Sequence, residues 1–149
     1  MVRQISVRGI ILHEGTLLCV RLKAYKDLLK RDNSYWCLPG GGLDISEPLV
    51  AGIEREMLEE TGIAATVGKL LYIQQFTYEG KEFLEFFFHI TNSQDYLNVD
   101  LSKSTHGMTE IEEIAFVDPA NTHILPDFLT TEPLEKQAAS GITTVISRL

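Results

Sequence analysis

Residues 38–63, LPGGGLDISEPLVAGIEREMLEETGI, contain the pattern that decides the fold. The stretch opens with a proline and three glycines, and glycine lets the backbone approach a ligand closely. From residue 48 to residue 61, apolar side chains recur every three or four positions, which is the period of an amphipathic helix. Pro48 suits the first helical turn, and Gly62 suits the left-handed position just past the last turn. The sequence therefore predicts a glycine-rich turn followed by a helix over residues 48–61.

Three glutamates gather in the second half of this predicted helix. Glu56 lies one turn before Glu59 and Glu60, so three carboxylates share one patch. Like charges at this spacing repel, and the negative end of the helix dipole disfavours them further. A divalent cation such as Mg²⁺ or Mn²⁺ would offset this repulsion, because hard cations prefer carboxylate oxygens. Considered alone, the helix leaves open a second interpretation, a solvated acidic face with Arg55 paired to Glu59.

The spacing of the residues around these glutamates is specific. Gly41 is followed after five residues by Glu47, and after seven more by Arg55 and Glu56. The remaining fixed positions are Met57, Glu59, Glu60, Gly62 and Ile63. This 23-residue arrangement, residues 41–63, resembles the box of the Nudix hydrolases at every fixed position. Residues 38–42, 17–21 and 113–117 also look like the family's layout, so the resemblance spans most of the chain. At three less constrained positions the family more often has other residues than the Asp44, Ser46 and Gly52 found here. None of these differences removes a carboxylate from the predicted helix that would hold the metal.

The resemblance implies hydrolysis of a nucleoside diphosphate linked to another group. It also implies a single-domain α/β fold over residues 1–149, a Nudix-like α/β/α sandwich with a mixed β-sheet, in which the box holds Mg²⁺, or Mn²⁺ as a substitute, against the diphosphate. Such an ion neutralises phosphate oxygens and lowers the pKa of the attacking water. The implied metal ligands are the carboxylates of Glu56, Glu59 and Glu60 and the backbone carbonyl of Gly40.

Two further catalytic roles follow from the resemblance. Arg55 is assigned to orienting the glutamates by ion pairing, with Glu47 as its partner; a favourable charge at the helix N-terminus is a compatible explanation of Glu47. In this family the general base is a box glutamate or a carboxylate from a later loop, and Glu110 is the candidate we choose, with Glu112 and Glu113 as rivals. The predicted catalytic set is Glu56, Glu60, Arg55 and Glu110.

Candidate substrate contacts are basic residues, an aromatic residue and a glycine of the box. Arg21 and Lys23 stand at the end of the second predicted strand, where they could meet phosphate oxygens, the arginine by bidentate hydrogen bonding. Gly41 allows close approach of the chain. Tyr78 stands fifteen residues after the box, where some subfamilies that act on dinucleoside polyphosphates carry a tyrosine. Packing or solvation is the alternative for the weaker candidates, which are Tyr25, Lys26, Lys30, Arg31, Tyr35 and Phe76.

The rest of the chain shows patterns typical of a mixed α/β protein. We expect a hairpin between the first two strands around residues 13–16, a loop or short irregular helix over residues 23–35, and some strand character near residues 96–99. Glu85 shares a strand face with Phe83, Phe87 and His89 that could be the substrate face, but a charged residue on a half-exposed strand is usually at the solvent edge, and we expect it there. The other predicted elements are strands near residues 36–38, 67–78, 81–91 and 113–117, and a closing helix over residues 125–139 interrupted near Pro133.

Composition narrows the function classes. The 149 residues carry a net charge of −8, which disfavours a general nucleic-acid binder. Residues 1–40 hold seven basic and three acidic residues, whereas residues 41–63 hold one and six. No apolar run approaches the ~18–20 residues that cross a bilayer, and no secretory signal is evident. The two cysteines are explained most simply as reduced thiols. We therefore expect a cytoplasmic enzyme with a small-molecule nucleotide substrate and no stable nucleic-acid or membrane partner; a homodimer stays open.

The substrate is not decided by these patterns. A nucleotide sugar, an ADP-ribose-like molecule, a dinucleoside polyphosphate and a nucleoside triphosphate, oxidised or not, all fit the resemblance, although the lack of a proline at the position of Tyr78 disfavours the usual ADP-ribose type. A nucleotide-sensing module that binds without turnover is the alternative from another class. The complete set of box glutamates and the lack of length for a DNA-binding segment disfavour it. An RNA-end pyrophosphatase would need a more basic surface than a pI of about 4.9 allows.

Overall fold

The main β-sheet combines segments from the beginning, the middle and the end of the chain. The computed structural model describes residues 2–23 and 34–149. Its strands are β1 (Val2–Ile10), β2 (Leu12–His13), β3 (Thr16–Leu22), β4 (Gly40–Gly42), β5 (Val67–Tyr78), β6 (Lys81–Ile90), β7 (Ile111–Val117) and β8 (Thr144–Arg148). Its helices are α1 (Leu49–Thr61), α2 (Gly107–Glu110), α3 (Phe128–Thr131) and α4 (Leu134–Ser140), with short 3₁₀ turns at Ser93–Tyr96 and Leu101–Lys103.

The strands form two sheets. The larger has the order β4-β1-β6-β5-β8, in which β1 runs parallel to β6 and β5 parallel to β8, while β4–β1 and β6–β5 are antiparallel. The smaller has the antiparallel order β2-β3-β7. The mixed α/β class with a mixed sheet is thus confirmed.

Apolar side chains fill both faces of the larger sheet. On one face, Ile53 and Met57 of α1 are completely buried in a cluster that includes Val7 and Phe88. On the other face, Phe87 and the ring of Tyr72 pack against Phe128 of α3 with ring centroids 5.1 Å apart in each case. Both faces of β6 are thus covered, one by α1 and the other in part by α3.

The predicted helix and central hairpin agree closely with the structure. The helix occupies residues 49–61, with Pro48 immediately before it and Gly62 in the left-handed region at φ 75°. The β5–β6 hairpin turns at residues 79–80, as expected. The closing helix is divided into α3 and α4 near Pro133, also as expected.

The first hairpin differs from the prediction. Its turn lies at Glu14 and Gly15, whose φ values of 47° and 80° suit a two-residue hairpin. The turn, however, joins β3 to the short β2, whereas β1 belongs to the other sheet. The chain changes sheets at Ile11, between β1 and β2, so the first strand pairs with a distant segment rather than with its neighbour.

Two local predictions are wrong, and one strand was missed. Residues 36–38 make only isolated bridges, from Cys37 to Val20 and from Trp36 to Ile124, and the strand is formed by the glycines at 40–42 instead. Residues 96–99 form no strand, because the buried Tyr96 ends a 3₁₀ turn and its hydroxyl donates to the Ile63 carbonyl. The strand β8 was not predicted.

Some of the sequence-based predictions concern residues that the structure does not describe. Tyr25, Lys26, Lys30 and Arg31, and the loop or irregular helix expected around them, lie outside the described residues. Within residues 2–23 and 34–149, no helix is long and apolar enough to cross a membrane.

Candidate functional site

The glycines of β4 lie directly against the acidic helix. Gly41 is paired with Val7 of β1, and a Cβ atom built on Gly41 would lie 2.8 Å from a carboxylate oxygen of Glu56. The backbone N–H of Gly40 donates to Oε2 of Glu60 over 2.9 Å. A side chain at Gly41 would displace the carboxylate of Glu56, and a side chain at Gly40 would overlap the backbone of Val7 in β1. The glycines of β4 therefore allow this strand to pair with β1 and lie against two box glutamates.

Glu60 is the most buried of the box glutamates, with 4% of its surface exposed. The pKa of its carboxyl is raised to about 8, mainly by burial and to a smaller extent by the neighbouring carboxylates of Glu56 and Glu110. The N–H of Gly40 and the charge of Arg8 act in the opposite direction. Burial also raises the pKa of Glu56, against the effect of Arg55. Both carboxyls are therefore held in surroundings that favour a proton or another cation.

Arg55 connects the loop of the box to the helix. Its Nε and Nη2 donate to the two oxygens of Glu47 over 2.8 and 2.9 Å, which is the bidentate arrangement expected for an arginine fork. Its Nη1 donates to Glu56 over 3.0 Å and to Glu59 over 3.1 Å, and its Nη2 also reaches the carbonyl of Gly42. The hydrogen bonds from Arg55 are the main cause of the low pKa of Glu47, about 2. The contacts expected with Glu47 and Glu59 are both present.

A loop before β7 covers the end of the helix. The backbone N–H of His106 donates to the carbonyl of Glu59 over 2.9 Å, and Nδ1 of His106 lies 3.2 Å from Oε2 of the same residue. Four residues later, Glu110 is close enough for its charge to raise the pKa of Glu60. The structure thus brings Glu110 towards the box. His106 was missed by sequence reasoning, because a single histidine in a polar loop has no periodic signal.

The donor atoms at this site suit a hard cation. Glu56, Glu59, Glu60 and the carbonyl of Gly40 offer oxygen only, which is the chemistry that Mg²⁺ and Mn²⁺ favour. In the described part of the chain, no three His, Cys, Asp or Glu side chains are already arranged to hold a metal ion. Protein groups hold the carboxylates instead: Arg55 binds Glu56 and Glu59, and Gly40 binds Glu60. The residues therefore fit a divalent cation by donor type, and binding requires these carboxylates to exchange partners.

Of the predicted substrate contacts, Arg21 and Lys23 lie near β7 and α2, whereas Tyr78 lies away from the box, at the end of β5. Arg21 pairs with Glu113 over 3.0 Å and lies over the ring of Trp36, 5.9 Å from its centroid. Lys23 donates from Nζ to the carbonyl of Met108 in α2, the short helix that ends at Glu110. Tyr78 is 62% exposed at the end of β5, and the structure does not bring it to the box.

A pocket of about 480 Å³ opens beside β4, between the box and the ends of β1 and β6. Arg8 and Glu85 lie in it, with Nε of Arg8 donating to Oε2 of Glu85 over 3.2 Å. Glu85 is only 8% exposed, so its expected place at the solvent edge is wrong: β6 is a central strand, and Arg8 of the neighbouring β1 covers its carboxylate. Sequence reasoning also missed Arg8, although Gln4, Ser6 and Arg8 alternate as polar residues along β1.

Three comparisons relate the chain to known proteins. Residues 2–134 match a family model described as NUDIX domain. A "MutT-like protein" of Streptomyces ambofaciens is 38% identical over 77 residues, which cover 51% of this chain and 45% of that protein. The match thus spans less than half of that relative's length. The solution structure of the E. coli ORF135 protein superposes with a TM-score of 0.68, at 19% identity over 94% of each chain. The structure of a MutT protein from Methanosarcina mazei Go1 gives a TM-score of 0.64, at 27% identity over 87% of this chain and 89% of that one.

Proposed function

Because the chain belongs to the Nudix family, we propose that it hydrolyses the diphosphate linkage of a small nucleoside-diphosphate derivative with the help of a divalent cation, Mg²⁺ or Mn²⁺. The observation that carries this proposal is the contact between β4 and α1, where Gly40 binds the carboxylate of Glu60 and Gly41 leaves space for that of Glu56. A solvated acidic helix face has no need for a buried glutamate or for glycines packed against it.

Each box residue has a role in this proposal. The carboxylates of Glu56, Glu59 and Glu60, with the carbonyl of Gly40, are the proposed cation ligands. When bound, the cation neutralises phosphate oxygens and makes water a better nucleophile. Arg55 acts as a positioning residue, because its hydrogen bonds fix the orientation of Glu56 and Glu59 relative to the box loop.

Glu110 is the proposed general base. It reaches the box from outside and its charge acts on Glu60, whereas its rival Glu113 is engaged by Arg21. In the proposed step, the oxygen of water bonds to phosphorus while a proton passes from that water to the carboxylate of Glu110. The bond from phosphorus to the bridging oxygen breaks, and the bridging oxygen leaves with the other phosphate.

The remaining assignments are also proposals. Arg21, near the end of β3, and Lys23, just after it, are candidate phosphate contacts because they lie close to β7 and α2. Gly41 and Tyr78 are kept as substrate contacts on the sequence pattern alone. We propose one domain over residues 1–149 with its box at residues 41–63. A reducing, cytoplasmic setting suits Cys19 and Cys37, which form no disulfide.

A substrate panel tests the function. Nucleotide sugars, ADP-ribose, dinucleoside polyphosphates and nucleoside triphosphates are incubated with the protein in ¹⁸O-water, with Mg²⁺, Mn²⁺ or EDTA, and the products are read by mass spectrometry. We expect metal-dependent cleavage of at least one compound, with one ¹⁸O atom on the product phosphate that was attacked. Cleavage that persists in EDTA, or no cleavage of any compound with either metal, would overturn the proposal.

A further inference from the structure

The pocket of about 480 Å³ beside β4 is joined to the box and is large enough for a small organic ligand. Gly42 and Leu43 of the box border one side of it. The rings of Phe76 and Phe83 border another side; they are stacked with centroids 4.8 Å apart and an interplanar angle of 7°. Aromatic side chains at the border of a pocket suit contact with a planar ring.

The polar part of the pocket offers a donor beside an acceptor. Glu85 is paired with Ser6 in the register of β1 and β6, and Arg8 follows two positions along on the same face. Arg8 donates to Glu85 over 3.2 Å and to the carbonyl of Leu38 over 3.4 Å. These bonds use two of the five N–H donors of the guanidinium, and a carboxylate can accept more than one hydrogen bond. Both groups therefore retain capacity for a ligand.

On the premise of the proposed function, we propose that this pocket binds the nucleobase of the substrate and that Arg8 and Glu85 select guanine. Guanine presents a carbonyl, a ring N–H and an exocyclic amine in a row. The Arg8 guanidinium donates to the carbonyl, and the adjacent carboxylate of Glu85 accepts from the ring N–H and the amine.

The other bases match this pair less well. Adenine and cytosine each offer a single amine as donor on their pairing edge, so the carboxylate receives one hydrogen bond fewer. Uracil offers a ring N–H but places a second carbonyl where guanine has its amine, and that oxygen would face the carboxylate of Glu85. By count of donors and acceptors, guanine is the base that satisfies both side chains.

Arg8 also lies between the pocket and the box. Its charge acts on both Glu56 and Glu60, and its hydrogen bond to Leu38 holds the segment that enters β4. A base placed against Arg8 would therefore leave its phosphates on the side of the acidic helix.

Kinetics with the four ribonucleoside triphosphates and Mg²⁺ test the selection. We expect kcat/KM for GTP to exceed the others by at least about tenfold, since a bidentate base contact discriminates by roughly this factor or more. Glu85→Gln should remove most of this preference through KM, with kcat little changed. Glu82→Gln, on the same strand but paired with Arg3, is the control and should retain the preference. Equal rates with all four bases, or a guanine preference that survives Glu85→Gln, would overturn the proposal.

A binding measurement separates this inference from the proposed function. Wild-type protein in EDTA is titrated with GMP, AMP, CMP and UMP and followed by amide NMR, which requires neither catalysis nor metal. We expect GMP to bind most tightly and to shift the signals of Phe76, Phe83 and Glu85. If no compound of the substrate panel is cleaved but GMP binds in this pocket, the proposed function is wrong and the pocket assignment is supported. If hydrolysis occurs but GMP shifts other residues, the pocket assignment fails.

A second variant keeps the test valid if Glu85→Gln does not fold. Removing one member of a buried ion pair can be strongly destabilising. The double variant Arg8→Gln, Glu85→Gln leaves no unpaired buried charge and should also lose the guanine preference. A folded double variant with an unchanged preference would contradict the proposal as directly as the single one.

Discussion

The backbone N–H of Gly40 donates a hydrogen bond to Oε2 of Glu60 over 2.9 Å, across 20 residues of sequence. This bond holds the strand β4 against the helix α1. Gly40 has a φ of 139°, and a Cβ atom there would overlap the carbonyl oxygen of Val7, so no other residue fits. The position of the buried carboxylate therefore depends on a glycine in a strand rather than on the helix alone.

Replacing Glu60 tests the role of this carboxylate. Glu60→Gln retains the size of the side chain but removes its charge, and we expect kcat to fall by at least about 100-fold if the carboxylate holds the cation. Glu54→Gln on the exposed side of the same helix is the matched control. Circular dichroism should show both variants folded. Full activity of folded Glu60→Gln would exclude Glu60 as a ligand.

The pKa of Glu60 also predicts how stability depends on pH in the absence of metal. The pKa is raised from 4.5 to about 8 in the folded protein, so between these values the folded state binds more protons than the unfolded state. Its stabilising contribution is therefore fully present below about pH 4.5 and is lost as the pH rises towards 8. Denaturation in EDTA at pH 5 to 8 should show falling stability, on the order of a few kcal/mol.

Two comparisons check the origin of this pH dependence. Glu60→Gln cannot ionise, so its stability should change less with pH than that of Glu54→Gln. The low pKa of Glu47 acts only below about pH 4.5 and leaves this window unaffected. An identical slope in the two variants would show that another group is responsible.

A methyl group at Gly41 tests the contact between strand and helix. In Gly41→Ala the new Cβ atom would lie 2.8 Å from the carboxylate of Glu56, which must move. We expect the Mg²⁺ concentration at half-maximal rate to rise by about tenfold or more, by analogy with other changes next to metal ligands. Gly42→Ala places the same methyl in open space and should leave the metal dependence unchanged. Equal metal dependence in the two variants would separate Gly41 from the metal site.

Local patterns explain why much of the fold and the box could be predicted. The helix over residues 49–61 follows from its apolar period and from Gly62, and the pairing of Arg55 with Glu59 follows from their spacing of four. The turn at Glu14 and Gly15 was likewise evident. Each of these features depends on residues close together in the chain, where geometry restricts the possibilities.

Long-range pairing explains what could not be predicted. β1 is paired in parallel with β6, so Arg8 meets Glu85 across 77 residues, and no local signal marks either as a partner. An acidic residue on a strand is usually exposed, so Glu85 was expected at the solvent edge. Its burial depends on a positive charge that the sheet order supplies. The contact of His106 with Glu59 is also long-range, because a loop distant in sequence places His106 over the helix α1.

Substituting Arg55 tests positioning apart from charge. Arg55→Lys retains the positive charge but cannot contact Glu47, Glu56 and Glu59 in the same way as the planar fork. We expect kcat to fall about 10- to 100-fold and the required Mg²⁺ concentration to rise. Arg148→Lys, which alters an exposed ion pair with Asp127, is the control and should have wild-type kinetics. Wild-type metal dependence in folded Arg55→Lys would leave Arg55 a purely structural role.

Glu110 can be distinguished from its neighbours by the rates of matched variants. Glu110→Gln should lower kcat by about 10²- to 10⁴-fold, because it removes the group that accepts the proton of water, while the metal dependence stays near that of the wild type. Glu112→Gln, two residues along and exposed, should retain the wild-type rate. If Glu112→Gln is the variant that loses activity, the base lies on β7; if neither variant does, the proton is accepted by a box glutamate.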